Sequence, residues 1–487
     1  MYKLESYKGI NIYVLVAIFT AITIGNILLI SDSKGSIITM AQYIIVLYNL
    51  CKGKVHIAAL LHFTFMLLSL SAQGTLGMFE ASQFSMYNYG AMKLLGPIRA
   101  SYLMNILLFS IVFLNPKYKI NKELLLYKFF RVLLYLGLSA IIIGGIGIVV
   151  HPYYRFNTFL DNSIYMFVVL TSAYIMLSLA NESFIKSAYA LCLSSIIASI
   201  IGCFICYVFF GVTSHYSVLD IAYLSDIVSI GGPALIVGIV FIRHRLLAVI
   251  SLLLFAYLMS ITFGGKSFFA LGFAVLALVY LLFFDKNTHH TLNKSIHSIR
   301  VVVIVLVLLL SVFLIRHITS DSMAFYKVMS ALSIFSGDLG SVDRSPYIRI
   351  ASVINIFYEG LSNPFTLLFG NGYGGYFEDK LNLFAGIDLS VGAWSDDIIR
   401  TGRFPSGHDS IVTIPLFNGL IGIYLMIKMG WLYLKRIPKN YLNSVIFFWF
   451  ILKFYFNTIF AVIGIFCLLA AELDLSKENS KGVVVNS

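Results

Sequence analysis

The stretch RSPYIRIASVINIFYEGLSNPFTLLFGNGYGG, residues 344–375, lies in the one long polar interval of an otherwise apolar chain. This interval, residues 316–410, closes within GHDSIVTIPLFNGLIG, residues 407–422, where the sequence becomes apolar again. It collects arginines, carboxylates and a histidine. Because a mostly apolar chain keeps these groups together, we expect its chemistry in this interval, at a membrane surface.

The composition around the interval is that of a membrane protein. Apolar residues make up 59% of the chain and charged residues 11%, whereas soluble domains are roughly a quarter charged. Apolar runs recur from end to end, each long enough to cross a hydrocarbon core of about 30 Å. The first run, Ile10 to Ile30, has no small-residue cleavage pattern and precedes another apolar run, so we interpret it as a retained span.

The pattern predicts an all-α integral membrane protein of about 13 transmembrane helices (roughly 12–14). We divide it into an N-terminal helical bundle (1–315, about 11 helices), the large partly helical loop (316–410), C-terminal helices (411–471) and a polar tail (472–487). The predicted spans are 10–30, 36–50, 55–73, 95–114, 129–150, 163–180, 187–210, 219–242, 246–263, 267–284, 301–315, 411–434 and 444–470.

The basic residues behind the net charge of +12 are concentrated in the predicted loops on one side of the membrane, so the charge does not indicate a nucleic-acid partner. With a cytoplasmic N-terminus, the strongly basic loops fall on the inside: Lys52/Lys54, Lys117–Arg131, Lys186, Arg243/Arg245, Lys286–Arg300 and Lys435–Lys439. The alternate loops carry few cations, and the same parity places 316–410 outside.

The last apolar interval leaves two topologies open. Tyr441 to Ala471 is longer than one span needs, and Lys453 and Asn457 interrupt it. One tilted span would send the tail outside, whereas two short spans would return it to the cytoplasm.

The five cysteines lie in or beside apolar runs and predict no disulfide framework. Cys203 and Cys206 have CxxC spacing, but without partner ligands inside a span we interpret them as core residues. No acidic cluster predicts a divalent metal, and we expect no cofactor.

Arg349 is the first candidate site residue, in a segment whose apolar residues follow a helical period up to Gly360 and Pro364. A guanidinium there is suited to bind a diphosphate, because it is planar and permanently charged. The alternative is an interfacial helix whose arginine reaches toward lipid headgroups. Arg344, five residues earlier, falls on a different face of the helix.

Two further features follow Arg349. The run from Gly370 to Gly375 must be irregular, and it lacks the Lys-Ser/Thr ending of a phosphate-binding loop. It is either a tight turn that lets the backbone approach the membrane or a ligand, or a flexible connector. His408 is a candidate general base, because a histidine's unperturbed pKa lies near neutral pH. The alternative is a solvated or capping residue, since Asp409 or Ser410 beside it would cap the helix that follows.

Other polar residues lie at predicted outer edges of spans. Lys266 and Arg99 are cations that either snorkel to the interface or face inward to hold an anionic phosphate. The outer loop with His151, Tyr153, Tyr154 and Arg155 would offer contacts to a sugar.

The order of these motifs resembles the O-antigen polymerase and O-antigen ligase superfamily. In that family an arginine precedes "P…G.G", and a histidine precedes a span with "L..l...G..G". The matching residues here are Arg349, Pro364, Gly370-x-Gly372, His408 and Leu416-Phe417-Asn418-Gly419-Leu420-Ile421-Gly422. The chain departs from the family at Gly265-Lys266, where Ser-Arg is common, and at Asp409, where Asn is usual.

The resemblance implies a GT-C-like glycosyltransferase of the bacterial inner membrane, with its large loop in the periplasm. It would join oligosaccharide repeat units by metal-independent inverting transfer. Undecaprenyl diphosphate would carry both the donor and the acceptor repeat unit. His408 would be the general base; Arg349, with Lys266, Arg344 or Arg99, would bind the departing diphosphate. Supporting positions would be Asp409, Gly360, Gly370 and Gly372. Membrane lipids, a chain-length regulator and a flippase are the expected partners.

Two alternatives stay open. An O-antigen ligase shares the motifs and transfers finished polysaccharide to lipid A core. A flippase or transporter of lipid-linked sugars predicts paired charges near the membrane midplane and two related halves, and the sequence displays neither.

Overall fold

A computed structural model of the chain describes residues 12–28, 35–69, 89–90, 92–95, 98–210, 254, 344–387, 389, 394, 396–405, 410–434 and 458–472. The chain divides into two compact units, and each is described by itself. The first comprises Met1–Leu94, Arg99–Ser101 and Ser187–Met329, and the second Leu95–Ile98, Tyr102–Lys186 and Ser330–Ser487.

The described residues are mostly helical. The helices up to residue 210 are α1 (Ile12–Leu28), α2 (Gly35–Cys51), α3 (Val55–Leu67), α4 (Ala100–Leu114), α5 (Leu125–Val150), α6 (Phe156–Leu179) and α7 (Glu182–Phe210). Those that follow residue 343 are α8 (Arg344–Ser362), α9 (Pro364–Phe369), α10 (Asp396–Thr401), α11 (Ser410–Leu434) and α12 (Thr458–Ala471). Four short strands accompany them: β1 (Lys93–Leu95), β2 (Ile98–Arg99), β3 (Phe377–Glu378) and β4 (Arg403–Phe404).

Four of these helices, α5, α6, α7 and α11, are long and apolar enough to cross a membrane. Shorter apolar helices lie in α1, α2, α3, α4 and α12. The predicted class, an all-α membrane protein, is therefore confirmed. The predicted number of spans stays a prediction, because the spans at 219–242, 246–263, 267–284 and 301–315 lie outside the described residues.

Four of the helices up to residue 210 begin four or more residues away from the positions that hydropathy predicts. α5 starts at Leu125 instead of 129, and α7 starts at Glu182 instead of 187. The span predicted at 163–180 is α6, which starts seven residues earlier, at Phe156. The span predicted at 95–114 is α4, which starts at Ala100, after β2. Hydropathy locates only the apolar part of a helix, whereas backbone hydrogen bonding continues through polar residues such as Asn157 and Asp161.

In the first unit, a buried aromatic cluster ties α2 and α3 to residue 89. The His62 Nδ1 and Tyr89 hydroxyl are 2.8 Å apart, and the Tyr43 hydroxyl donates to the Tyr89 carbonyl at 2.6 Å. Tyr43 and Tyr89 also stack, with ring centroids 4.2 Å apart. His62 Nδ1 and the two tyrosine hydroxyls thus find partners inside an apolar unit, as buried polar groups usually do.

In the second unit, α6 packs against α5 and α12, and α11 packs against α5. Asn105 on α4 is hydrogen-bonded to α6. Its Nδ2 donates to the Val168 carbonyl at 3.2 Å and to Thr171 Oγ1 at 2.6 Å. Ser172 Oγ of α6 donates in turn to Asn105 Oδ1 at 3.0 Å. Side-chain hydrogen bonds between helices are typical glue of membrane bundles.

One face of α5 consists of small residues, Gly137, Ala140, Gly144 and Gly147. A Cβ on Gly137 would lie 2.5 Å from Met166 Cγ of α6, and one on Gly147 would overlap the ring of Tyr154. Such a face lets neighbouring segments approach the helix backbone closely.

The C-terminal end of α12 bears on the topology that the sequence leaves open. The carboxylate of Glu472, one residue past α12, accepts a hydrogen bond from the Leu126 backbone N–H at 3.0 Å. The end of α12 therefore lies beside the start of α5, on the side of the basic loop Lys117–Arg131. The path of the chain between α11 and α12 and the side of the tail stay predictions, because residues 435–457 and 473–487 lie outside the described residues.

Candidate functional site

The part of the polar interval that the structure describes starts at residue 344 with a helical hairpin of α8 and α9. Asn363 separates the two helices, and its Oδ1 accepts from the Phe365 and Thr366 backbone N–H groups at 3.2 and 3.4 Å. Pro364 occupies the first turn of α9, where its missing N–H costs nothing. The predicted helix and its stop near Pro364 are confirmed, with the helix starting at Arg344 and ending at Ser362.

The glycine loop, Gly370 to Gly375, follows α9 and is irregular, as predicted. Its backbone N–H groups at Asn371 and Gly372 donate to the carbonyls of Leu416 and Phe417 on α11, at 2.7 and 3.2 Å. Tyr373 N donates to the Ala140 carbonyl on α5 at 2.9 Å. The loop is thus held between two helices by backbone hydrogen bonds.

The α11 carbonyls are available because this helix is broken at Gly419, whose φ of 57° and ψ of −153° are not helical. Beside the break, Asn418 Nδ2 donates to the Leu136 carbonyl at 2.8 Å and to Ser139 Oγ at 3.1 Å. The backbone carbonyls freed by the break in α11 therefore accept hydrogen bonds from the backbone N–H groups of the irregular loop.

Glycine is required by this packing. Gly370 and Gly372 have φ of 77° and 68°, in the region that residues with a Cβ rarely adopt. A Cβ at Gly370 would overlap the α11 backbone, and one at Gly372 would lie 2.8 Å from the Ala140 carbonyl oxygen. The glycines thus let the loop backbone pack directly against α5 and α11. This rules out the alternative that the glycine run is a flexible connector.

A cluster of arginines, carboxylates and tyrosines lies beyond this loop. Arg403 on β4 donates from Nε to Glu378 Oε1 on β3 at 3.2 Å, and its Cζ lies 3.6 Å from the ring centroid of Tyr153. Arg155 pairs with Asp397 on α10 at 3.2 Å. The loop 151–155 and the polar interval therefore share one end of the bundle, consistent with the predicted parity.

Glu359 on α8 has the least exposed side chain among the ion-paired acids and bases of this cluster. Its Oε1 lies 3.9 Å from Lys380 Nζ, and its Oε2 accepts from the Glu378 N–H at 3.4 Å. Burial raises the pKa of Glu359, and Lys380 only partly opposes this. Burial, with the charges of Tyr376 and Glu359, raises the pKa of Tyr154 to about 12. A carboxyl with a raised pKa beside tyrosines is a group that can hold a proton near a bound substrate.

The rest of the described interval is held by a small aromatic core and one half-buried acid. Asp379 accepts from Asn355 Nδ2 at 2.7 Å and from the Leu383 and Phe384 N–H groups at 2.8 and 2.7 Å, so it is structural. The core is an aromatic cluster of Phe377, Phe384, Trp394 and Phe404.

An open groove of about 530 Å³ lies beside these residues, with Glu378, Lys380, Asn382 and Thr401 on its rim. Among the residues that the structure describes, no group of three or more histidines, cysteines and acids is placed to hold a metal ion. Metal independence stays a prediction.

The predicted site residues fall in different parts of the chain. Arg349 lies half-buried on α8, and Arg344 is the first residue of that helix. Gly360, buried on the same helix, faces Leu367 of α9. Arg99 belongs to the first unit. His408, Asp409 and Lys266 lie outside the described residues, so their predicted roles, like that of Arg349, stay predictions.

Sequence reasoning missed Glu359, Tyr376, Glu378 and Arg403. The separation in sequence explains why, since Arg403 and Tyr153 are 250 residues apart. One signal was present: the small residues of α5 recur every three or four positions from Gly137 to Gly147 and mark the face on which the glycine loop packs.

Comparison with protein-family models, curated proteins and solved structures found no match to this chain.

Proposed function

We propose that this protein is a GT-C-like membrane glycosyltransferase that polymerises oligosaccharide repeat units carried on undecaprenyl diphosphate into O-antigen or capsular polysaccharide. The observation that carries the proposal is the packing of the polar interval on one end of spanning helices. There Arg349 and the glycine loop belong to the same unit as a cluster of arginines, acids and tyrosines.

The side chains of this cluster suit a sugar–diphosphate substrate. Tyrosines and carboxylates are residues that hydrogen-bond to sugar hydroxyls and cover sugar faces, and guanidinium groups neutralise diphosphate. Glu359 lies ten residues beyond Arg349 on the same helix, which is about 15 Å along its axis. That span is long enough for a diphosphate at one end and sugar rings at the other.

In the proposed reaction an acceptor sugar hydroxyl attacks the anomeric carbon of the donor. His408 takes the hydroxyl proton as general base. The bond between the anomeric carbon and the diphosphate oxygen breaks, and undecaprenyl diphosphate leaves with the electron pair. Arg349, aided by Arg344, stabilises the charge that develops on the leaving group. Direct attack inverts the anomeric carbon.

The test is polymer length on silver-stained gels of cells that carry single variants. We expect His408→Ala and Arg349→Ala to abolish the ladder of repeat units. Arg131→Ala is the matched control, because Arg131 is exposed near the start of α5, at the opposite end of that helix from the 151–155 loop, and its loss should leave the ladder intact. Immunoblots of membranes establish that each variant is present. Full ladders from both site variants would contradict the mechanism.

The ligase is the competing activity on the same site, and a deletion strain separates the two. A single repeat unit on the lipid A core indicates that a polymerase was lost. Bare core with polymer retained on the carrier lipid indicates a ligase and would refute the polymerase.

A further inference from the structure

The hairpin of α8 and α9 exposes an unusual amount of apolar surface. Between residues 354 and 369 six large apolar side chains are 37–73% exposed: Ile354, Tyr358, Leu361, Phe365, Leu368 and Phe369. Among the described residues from 370 to 405, only Leu381 is a comparably exposed large apolar side chain. A continuous patch of this kind on a protein surface marks contact with another apolar phase or partner.

The exposed side chains form a second stripe on α8. One face of α8 is buried, with Ile348, Ala351 and Asn355 at helical spacing. Ile354, Tyr358 and Leu361 follow one another at intervals of four and three residues, so they share another face. A helix at a water-exposed surface carries polar residues opposite its buried face, whereas this stripe is apolar.

The contacts of the glycine loop give the depth of the hairpin along the spanning helices. Tyr373 N is bonded to Ala140 of α5, ten residues before the end of that helix at Val150, which is about 15 Å along its axis. On α11, Gly370 packs against Asn418, eight residues or about 12 Å from the first residue of the helix. Measured along either helix, the glycine loop at the end of α9 therefore lies about 12–15 Å below the helix end.

The backbone hydrogen bonds fit a location inside hydrocarbon. Irregular backbone is tolerated at that depth only where its N–H and C=O groups are satisfied by protein. Gly370, Gly372 and Tyr373 are buried, and their N–H groups donate to helix carbonyls.

The apolar surface of the hairpin is also continuous with that of a spanning helix. A Cβ on Gly419 would lie 2.6 Å from backbone atoms of Leu367 and Leu368, so α9 runs directly beside the break in α11. The next residues of α11, Leu420 and Ile421, are 39% and 38% exposed. Lipid that covers α11 at this depth would also cover Leu368.

We propose that α9 and the glycine loop form a re-entrant segment that enters the bilayer leaflet on the side of the 151–155 loop. The exposed face of the α8–α9 hairpin contacts lipid acyl chains there. The proposal goes beyond the proposed function and does not depend on it. It revises the prediction that all of 316–410 lies outside the membrane: residues 364–373 lie within it, and the cluster around Arg403 lies at its surface.

Site-directed spin labelling of the full chain in liposomes tests the proposal. Single cysteines are introduced as Phe365→Cys and Leu368→Cys in a Cys51→Ser background, since Cys51 is exposed and the other four native cysteines are buried. Ile427→Cys on α11 is the lipid-facing reference and Ala385→Cys the aqueous one, because both positions are exposed. Substitutions at exposed positions change stability little.

We expect the labels at 365 and 368 to collide several-fold more often with dissolved oxygen than with a water-soluble nickel chelate, as at 427, and the label at 385 to behave oppositely. Greater accessibility to the chelate at 365 and 368 would mean that water covers the hairpin and would overturn the proposal. Immobile labels inaccessible to both reagents would also overturn it, because they would indicate coverage by protein, such as a second copy of the chain. A thermal unfolding transition for each labelled variant confirms that it is folded.

Discussion

Two adjacent glycines on α5 allow the packing of the glycine loop to be tested by the sign of a stability change. Gly144 and Gly145 are both in the middle of a helix, where replacing glycine by alanine normally stabilises a protein by about 0.5–1 kcal/mol. A Cβ on Gly145 would meet nothing within 4 Å. A Cβ on Gly144 would overlap the carbonyl of Tyr373 and lie 2.6 Å from its nitrogen.

Gly145→Ala should therefore raise the free energy of unfolding, and Gly144→Ala should lower it. The clash in Gly144→Ala is with backbone, which cannot rotate away, and overpacking costs about 1–3 kcal/mol. Displacing Tyr373 also breaks its hydrogen bond to Ala140, and an unsatisfied buried group costs about 1–3 kcal/mol more. After the helix gain is subtracted, we expect a net loss of roughly 1–5 kcal/mol.

The measurement is reversible unfolding of the purified protein in mixed detergent micelles, followed by circular dichroism, for the two single variants side by side. Opposite signs for the two neighbours support the close approach of Tyr373 to α5. If Gly144→Ala stabilised the protein as much as Gly145→Ala, the glycine loop would not pack there. The argument for the depth of the re-entrant segment would then fail as well.

Two further predictions concern buried polar groups. Burial raises the pKa of Glu359 above its ordinary value near 4.5. The folded state therefore binds the carboxyl proton more tightly than the unfolded state does. The stabilisation that the bound proton gives is lost as pH rises through the folded pKa. Glu359→Gln should therefore raise the unfolding temperature relative to the parent at pH 8, and the gain should shrink as pH falls toward 4; a gain that grows on acidification would contradict the shift. In the first unit, Tyr89→Phe removes the 2.8 Å partner of His62 Nδ1 and should cost about 1–3 kcal/mol in the unfolding free energy. The double variant with His62→Phe should cost less than the sum of the two single variants, and strict additivity in this cycle would mean that the two side chains do not interact.

The sequence predicted α8 and the irregular glycine loop, because the signals for them are local: the apolar period of α8 and the glycine content of the loop each act over a few residues. It did not predict α9, since Pro364 was interpreted only as the stop of α8, whereas this proline also begins the next helix. Hydropathy also located the cores of the described spanning helices. It placed the starts of α6 and α7 too late, since helical hydrogen bonding continues into polar residues, and the start of α4 too early, since Ile98 and Arg99 form β2.

The candidate site was predictable only in part. Arg349 is identified by motif order, but the cluster of Glu359, Tyr376 and Arg403 depends on contacts between segments far apart in the chain. The partner of Arg403 on one side is Glu378, in the neighbouring strand, and on the other Tyr153, in a loop between two spanning helices. Neither pairing leaves a local pattern.

Composition and spacing by themselves determined that this is a helical membrane protein with one long polar interval, because solvation by lipid constrains every residue of a span in the same way. They also required the glycine run to be irregular. Only the tertiary structure decided what that run contacts: the Ala140 carbonyl on α5 and the carbonyls released by the break at Gly419. The physical reason is that a glycine's freedom of backbone conformation is encoded locally, whereas the surface it must fit belongs to helices more than 40 and more than 200 residues away in the chain.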